Sequence, residues 1–196
     1  MHHHSHELNQ LISLAAEGNR DAFAELYEQT IDTVYKTVHY LLEDKADLED
    51  VIQEIYLELH KSLNRFDQTR SARAWLMGIV IRQVSAHRRR KWLRIRLLHK
   101  SLLHPPSETE PDFSEGVVNQ LASQPLLREI ERLSFKLKQV LILHYLNQYT
   151  QEEIAKILEI PVGTVKSRIN AALTKLRQKK GSTREYWGKV ESQHEF

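Results

Sequence analysis

The chain has 196 residues, a length that fits one large domain or two small ones. It contains no cysteine, which excludes disulfide bonds and thiolate metal sites and is typical of a protein from a reducing cytoplasm. No apolar run approaches the roughly 18 residues of a membrane span, and no secretory signal is present. The net charge of +2 averages over acidic and basic blocks, so the blocks carry more information than the sum.

The first part of the chain has a helical pattern up to about residue 98. A first apolar stripe ends at Gly18, and Asp21 is predicted to cap a second helix that continues to about Leu41. The buried positions predicted for the first helix are Leu8, Leu11, Ile12 and Ala15. Because β-branched residues do not alternate with polar ones over a useful length, we expect an all-α fold. The histidines near the start are more typical of a purification tag than of a metal site: His2, His3, His4 and His6.

The segment 47–63 is predicted to form an amphipathic helix with an acidic outer face. Its predicted core stripe is Leu48, Val51, Ile52, Ile55, Leu59 and Leu63. Its outer face carries Glu49, Asp50, Gln53, Glu54 and Glu58. No histidine, asparagine or glycine-rich loop converges on these carboxylates, which disfavours catalysis and metal binding. Two interpretations of the acidic face remain: a solvent-exposed helix surface, and a docking surface for a basic partner.

A polar interval at 64–73 is followed by a helical segment whose flank is strongly basic. The flank consists of Arg82, Gln83, Ser85, Arg88, Arg89, Arg90, Lys91, Arg94 and Arg96. Such a surface suits contacts to phosphates, whose counterions are released on binding. A solubilising role is the alternative, but a second basic element further along the chain favours nucleic acid.

Residues 99–125 are predicted to be a flexible acidic linker. They contain Pro105, Pro106 and Pro111 and several acids but no lysine or arginine after Lys100. The linker divides the chain into helical domains at 8–98 and 126–180. The remaining residues, 181–196, lack periodicity and are predicted to be poorly ordered.

The segment 150–177 is predicted to be a helix-turn-helix. Thr150 and Glu153 form a capping box, and Pro161 disfavours helix at the residue before it. Gly163 and Thr164 are predicted to open the second helix, which contains no acidic residue. Its outward positions include Lys166, Ser167, Arg168, Asn170, Thr174 and Lys175. A polar, basic second helix of this kind can enter a DNA major groove, whereas a generic helix pair would normally mix both charge signs there.

Three segments, in this order, resemble the bacterial extracytoplasmic-function (ECF) sigma factors, the two-domain promoter-specificity subunits of RNA polymerase. LEDVIQEIYLEL at 48–59 is similar to the core-binding motif of region 2, and AWLMGIVIRQVSAHRRRK at 74–91 is similar to the helix that follows the promoter-melting loop. EEIAKILEIPVGTVKSRI at 152–169 is similar to region 4. The resemblance runs from about Leu11 to Arg177. It implies two small helical domains: region 2, for core binding, minus-10 recognition and melting, and region 4, for minus-35 recognition.

The resemblance also implies roles for individual residues. The clamp coiled coil of the largest polymerase subunit would bind Glu49, Asp50, Gln53 and Glu54. The minus-10 element of promoter DNA would bind Asn64, Arg65, Phe66, Arg82, Ser85, Arg88 and Arg89, with the loop 64–73 capturing a flipped base. The minus-35 element would bind Thr164, Lys166, Ser167, Arg168, Asn170 and Ala171.

The chain departs from the family pattern at two places. Leu133 is followed by Ser134 where a proline is usual, and Ser134 is expected to cap the next helix instead. A basic residue is common where Asn170, Ala171 and Ala172 stand, so the minus-35 preference is expected to differ.

The implied partners are RNA polymerase core enzyme, promoter DNA and an anti-sigma factor, which in this family is often membrane-bound. No catalytic residue, metal, cofactor or small-molecule substrate is expected. The alternatives are a one-component regulator that binds duplex operator DNA without polymerase and a small nucleic-acid enzyme such as a recombinase. The acidic helix followed by the basic flank favours the sigma factor, and no nucleophile, metal cluster or phosphate loop favours the enzyme.

Overall fold

The computed structural model describes residues 2–101 and 124–178, and the side chains of 7–97 and 126–178 within them. Most of the predicted linker, at 102–123, and the predicted disordered tail lie outside the described residues. The described residues form helices and turns and include no strand, which confirms the all-α prediction.

Four helices make up the first half of the chain. They are α1 (His2–Ala16), α2 (Arg20–Leu41), α3 (Leu48–Ser62) and α4 (Ala72–Ser101), with short 3₁₀ turns at Lys45–Asp47 and Leu63–Arg65. The second half contains α5 (Gln124–Glu131), α6 (Phe135–Leu141), α7 (Gln151–Leu158) and α8 (Val162–Gln178). A wider π-helical turn at Ile142–Leu146 extends α6.

At the starts of two helices, the capping hydrogen bonds differ from the prediction. Asn19, rather than Asp21, caps α2, and its side-chain oxygen accepts a hydrogen bond from the amide of Ala22 at 3.1 Å. Asp21 lies inside the first turn, where its charge suits the positive end of the helix dipole. Ser134 stands at the start of α6 as expected, but its hydroxyl makes no capping bond. Its backbone carbonyl instead accepts from Leu137 and Lys138.

The predicted apolar stripes of α1 and α3 are buried, and they pack together with α2 and α4. The same apolar cluster continues into the second half of the chain. Val140, Leu143, Tyr149 and Ile154 are at most 2% exposed and belong to it. A smaller cluster inside the second half joins α6 to α8 through Leu133, Leu137, Leu141, Ala172 and Leu176. The two halves therefore pack against each other.

The capping box at the start of α7 yields a stability prediction. The Thr150 hydroxyl accepts from the Glu153 amide at 3.2 Å, and the Glu153 carboxylate accepts from the Thr150 amide at 2.8 Å. Thr150→Ala leaves the Glu153 amide without this acceptor, so we expect the free energy of unfolding to fall by about 1 kcal/mol in urea titrations. Thr174→Ala, the same change at an exposed position within α8, is the control. An equal loss in both variants would contradict the capping role.

Candidate functional site

The α7–turn–α8 unit is a helix-turn-helix. Glu159 ends α7 in the left-handed conformation at φ 53°, and the Ile160 amide donates to the Ala155 carbonyl at 3.0 Å. The carbonyl of Pro161 accepts from the amides of Thr164 and Val165. Helix α8 therefore begins at Val162, earlier than predicted, because proline suits the position just before a helix.

The six candidate minus-35 residues lie on the outer side of α8. The positions facing inward are buried: Val165, Ile169, Ala172 and Leu176. Lys166, Ser167, Asn170 and Ala171 are exposed, whereas Thr164 and Arg168 are half-buried. No acidic residue occurs in α8. This helix thus presents a polar, cationic surface of the kind that reads base edges in a major groove.

The candidate core-binding residues lie on α3. Glu49, Asp50 and Gln53 are exposed. Glu54 is half-buried, and its carboxylate accepts a hydrogen bond from Arg90 of α4 at 2.5 Å. The charge of Glu54 is thus shared with the basic flank, while Glu49 and Asp50 keep an acidic surface on the first turn of α3.

The pair Glu54–Arg90 belongs to a wider charge seam that joins α3 and the acidic segment just before it to the basic flank of α4. The seam consists of Glu43–Arg88 at 2.5 Å, Glu54–Arg90 at 2.5 Å, Asp44–Lys91 at 2.6 Å, Asp47–Lys91 at 2.7 Å and Asp47–His87 at 3.1 Å. Sequence patterns predicted two separate surfaces here. The fold instead places them side by side and partly neutralises each.

The centre of the seam is Lys91, which bridges two carboxylates. A hydrogen bond from Lys91 is the main cause that holds the pKa of Asp47 below its ordinary value, although burial opposes it. A hydrogen bond from Lys91 is also the main cause that lowers the pKa of Asp44, and a hydrogen bond from the Ala46 amide is the second cause. Burial would lower the pKa of Lys91, but the two aspartates outweigh it and raise that pKa. All three groups are therefore charged at neutral pH.

An apolar groove of about 680 Å³ lies between α2 and α3. Its lining is Phe23, Tyr27, Ile31, Tyr35, Ile52, Tyr56, Leu57 and His60, together with Glu49 and Gln53. Tyr27 is 41% exposed and Leu57 52% exposed. Sequence analysis predicted the second helix but did not predict that one of its apolar lines would face this groove. The spacing of the sequence could have indicated this exposure. Apolar residues recur every four positions at Phe23, Tyr27, Ile31 and Tyr35, and this line runs beside the buried line of Leu26, Thr30 and Val34.

Tyr56 forms part of the groove floor and is fixed in place. Its ring centre lies 4.6 Å from that of Tyr27. Its hydroxyl lies 2.9 Å from the Thr30 hydroxyl, which itself donates to the Leu26 carbonyl at 2.6 Å. Burial raises the pKa of Tyr56 to about 12, so the phenol stays neutral. The groove therefore has a rigid, apolar and aromatic floor.

The candidate minus-10 loop is anchored to α1. The side-chain amide of Asn9 donates to the carbonyls of Gln68 and Arg70, both at 3.1 Å, and its oxygen accepts from the Ala72 amide at 3.0 Å. Gln68 donates to the Ser13 hydroxyl at 2.9 Å. Sequence reasoning missed Asn9, because an isolated asparagine on a helix gives no sign of its distant partners.

The predicted minus-10 residues are placed differently from one another. Asn64, Arg65, Arg82 and Arg89 are exposed. Phe66 is half-buried against Trp75, with ring centres 4.8 Å apart. Ser85 donates to the Ile81 carbonyl. Arg88 is bound to Glu43 and lies 3.9 Å from the ring centre of Phe135 in α6. The structure therefore exposes part of this set and engages Arg88 elsewhere.

Known proteins match both halves of the chain. Residues 26–94 match the family model for sigma-70 region 2, and residues 123–176 match that for sigma-70, region 4. The chain is 32% identical over 180 residues to the ECF RNA polymerase sigma factor SigK of Mycobacterium ulcerans, covering 88% of this chain and 93% of SigK. This chain belongs to the ECF sigma factors. It is also 28% identical over 178 residues to SigW of Bacillus subtilis, covering 87% and 95% of the two chains.

Solved structures share the fold. CnrH, in complex with the cytosolic domain of CnrY, superposes with a TM-score of 0.64 at 22% identity, covering 88% of this chain and 96% of CnrH. The sigma factor RpoE of Bartonella quintana, in complex with the anti-sigma factor NepR, also gives 0.64, at 18% identity and with 80% and 94% covered. The resemblance seen in the three motifs is confirmed, and the one-component regulator gains no support.

Membership of this family makes the chain a transcription initiation factor, a class of proteins that is not enzymatic. Across the part of the chain that the structure describes, no helix is both long enough and apolar enough to cross a bilayer.

The charge seam yields a pH prediction. Lys91→Gln removes the main cause of the lowered pKa of Asp47, so that pKa should rise toward the ordinary value of about 3.9, as followed by NMR titration of the carboxyl carbon. A carboxyl with a lowered folded pKa stabilises the fold above its unfolded pKa and loses this effect as the pH falls. The variant should therefore be less stable at pH 7, by less than about 1 kcal/mol since the pair is partly exposed, and its stability should depend less on pH below about 5.

Arg94→Gln is the matched control, because it removes one positive charge from an exposed position of the same helix. It should leave the pKa of Asp47 close to that of the unmodified protein. An Asp47 pKa that stays low in Lys91→Gln would show that Lys91 does not hold this carboxylate.

Proposed function

We propose that this sigma factor directs core RNA polymerase to specific promoters through three separate surfaces. These are the acidic start of α3 with the neighbouring groove, the part of the predicted 64–73 loop that precedes α4 (64–71) with the basic flank of α4, and the outer side of α8. The observation that carries the proposal is the order and geometry of these surfaces within a chain whose two halves match sigma regions 2 and 4. The chain itself contributes binding and strand opening, and no catalytic step is assigned to it.

The first surface is proposed to bind the clamp coiled coil of the polymerase. Glu49 and Gln53 line the groove, and Asp50 lies beside them on α3. A helix that carries basic residues next to apolar ones fits this combination. Aromatic side chains in a well-formed pocket are typical of residues that dominate binding energy, so Tyr27 and Tyr56 are expected to contribute as much as the acids do.

The second surface is proposed to hold the melted minus-10 element. Opening a duplex needs a few kcal/mol to unstack each extruded base. Exposed cations at Arg65, Arg82 and Arg89 can bind the backbone of the displaced strand, while stacking on an aromatic ring can hold a base. Phe66 is the aromatic residue within this loop, and its anchoring against Trp75 positions it.

The third surface, on α8, is proposed to read the minus-35 element as duplex DNA. Asn170 is exposed and can make the bidentate pair with adenine that asparagine favours. Arg168 can pair with guanine in the same groove. Lys175 lies nearer the end of the helix and suits a phosphate contact.

An anti-sigma partner is part of the proposal. It is supported by the structural relatives, since CnrH is bound to the cytosolic domain of CnrY and RpoE to NepR in their structures. We further propose that this partner is membrane-bound and holds the sigma factor inactive in the cytoplasm.

The core-binding surface can be tested by charge reversal. Glu49→Arg combined with Asp50→Arg places positive charge where a basic partner is expected, so the affinity for core enzyme should fall by more than about tenfold in a fluorescence binding assay. Glu54 is left unchanged because it is paired with Arg90. Circular dichroism verifies folding, since acids in the first turn of α3 favour the helix.

Glu28→Arg combined with Asp32→Arg is the matched control for that experiment. It makes the same change of charge on an exposed side of α2, away from the groove lining. The control should keep the affinity of the unmodified chain. Equal losses in both double variants would point to net charge rather than to a docking surface.

The recognition helix can be tested with two alanine variants. Arg168→Ala should weaken binding by about 1–3 kcal/mol and relax the preference at one base position, if the side chain contacts a base. Lys175→Ala should weaken binding to all sequences alike and lower the salt dependence, as a phosphate contact does. Selection from a randomised minus-35 library measures both. An unchanged base preference in Arg168→Ala would overturn the base contact.

A further inference from the structure

Asn9 lies on α1, yet its side chain makes three hydrogen bonds to backbone groups 59 to 63 residues further along the chain. Its nitrogen donates to the carbonyls of Gln68 and Arg70, both at 3.1 Å, and its oxygen accepts from the Ala72 amide at 3.0 Å. The orientation of this side chain is determined, because a backbone carbonyl only accepts and a backbone N–H only donates. These bonds join α1 to the 64–71 loop and to the start of α4.

The three partners of Asn9 fix the loop at its tip and at its end. Gln68 and Arg70 stand on either side of Thr69, and Ala72 is the first residue of α4. The first N–H groups of a helix have no acceptor within that helix. Asn9 therefore caps α4 from a distant part of the chain while it holds the two carbonyls that flank the loop tip.

The loop also contains a turn of its own. The Asp67 carboxylate accepts from the Thr69 hydroxyl at 2.7 Å and from the Thr69 amide at 3.0 Å, and the Arg70 amide donates to the Asp67 carbonyl at 2.9 Å. These bonds lie within four residues, so they shape the turn but do not set its position relative to α4. The bonds from Asn9 supply that position.

Helix α1 is a firm support for this contact. Leu8 and Ile12, which lie close to Asn9 along the helix, are 3% and 1% exposed and belong to the apolar core. One turn further along α1, the Ser13 hydroxyl accepts from the Gln68 side chain at 2.9 Å. A shift of α1 would expose buried apolar surface, so the position of the loop follows from the packing of the core.

Asn9 is placed to position the loop rather than to read DNA itself. Both N–H groups of its side chain and its oxygen are used in the bonds to the loop and to α4. Thr69 and Arg70 beside it are exposed, and Phe66 is held against Trp75. A loop that is ordered before it meets its ligand loses less conformational freedom on binding.

We propose that Asn9 is a positioning residue for minus-10 recognition, which holds the 64–71 loop in the shape that receives the extruded base without contacting DNA. The inference rests on the proposed assignment of this loop to the minus-10 element. A loop released from α1 adopts several shapes, and only the fraction in the receiving shape binds the preferred base at full strength. A mobile loop also adjusts to other bases, so release should weaken discrimination between bases.

Asn9→Asp is the sharpest variant, because it keeps the size of the side chain and an oxygen acceptor for the Ala72 amide. It removes both donors and places a carboxylate against the carbonyls of Gln68 and Arg70. Gln10→Glu is the matched control, since it makes the same amide-to-carboxylate change at the next residue of α1, which is exposed.

The first measurement needs neither polymerase nor promoter. NMR relaxation of the full chain should give backbone order parameters near about 0.85 for residues 68–70 in the unmodified protein and in Gln10→Glu. In Asn9→Asp they should fall below about 0.6. In Asn9→Ala, which lacks the acceptor as well, the Ala72 amide should in addition exchange with solvent at least about tenfold faster than in Asn9→Asp.

The second measurement is run-off transcription with core enzyme from promoter libraries randomised at the minus-10 or the minus-35 element. Asn9→Asp should reduce the preference at the minus-10 element by about tenfold, which corresponds to the loss of two hydrogen bonds. Its preference at the minus-35 element and its affinity for core enzyme should stay those of the unmodified chain. A merely structural role would instead lower transcription from all promoters alike.

Two results would overturn the proposal: order parameters in Asn9→Asp that match those of Gln10→Glu, or an unchanged minus-10 preference in a variant whose loop has become mobile. A uniform loss of transcription without a change of preference counts as the second result. The proposed function would fail separately, through absence of transcription by the unmodified chain with core enzyme, and the relaxation data would still decide whether Asn9 holds the loop.

Discussion

The charge seam between α3 and α4 is the interaction on which the functional surfaces depend. It ties the acidic segment just before α3 to the cationic flank of α4 through Lys91 and its two aspartates. Individual partly exposed ion pairs stabilise a fold only slightly, but a connected set fixes the relative position of two helices. It also decides which charges remain for partners. Glu49 and Asp50 stay acidic on one side, while Arg82 and Arg89 stay exposed on the other.

Much of the fold could be predicted from local patterns. The stripes of α1 and α3 and the capping box at Thr150 follow from helix period and from backbone amides that need acceptors. These effects act within a few residues of the chain, so the sequence displays them directly. The outward face of α8 was predictable for the same reason, since burial of Val165 and Ile169 determines what faces solvent.

Other parts of the site could not be read from the sequence, because they depend on contacts between distant residues. Helical spacing shows which side of a helix is apolar but not which element covers it. For this reason the sequence did not show that Tyr27 would stay 41% exposed, nor that Val140 and Tyr149 would pack with the first half of the chain. The same holds for Glu54, whose pairing with Arg90 depends on how α3 and α4 approach.

The attachment of the 64–71 loop to Asn9 has a consequence for how promoter preference can change. A single side chain of α1 holds the backbone of the loop at Gln68 and Arg70 and the start of α4 at Ala72. A shift or substitution in α1 would therefore alter the shape of the loop while every residue proposed to contact DNA stayed the same. Among paralogues, divergence in the first helix would thus change promoter choice, with the residues proposed to read bases left intact.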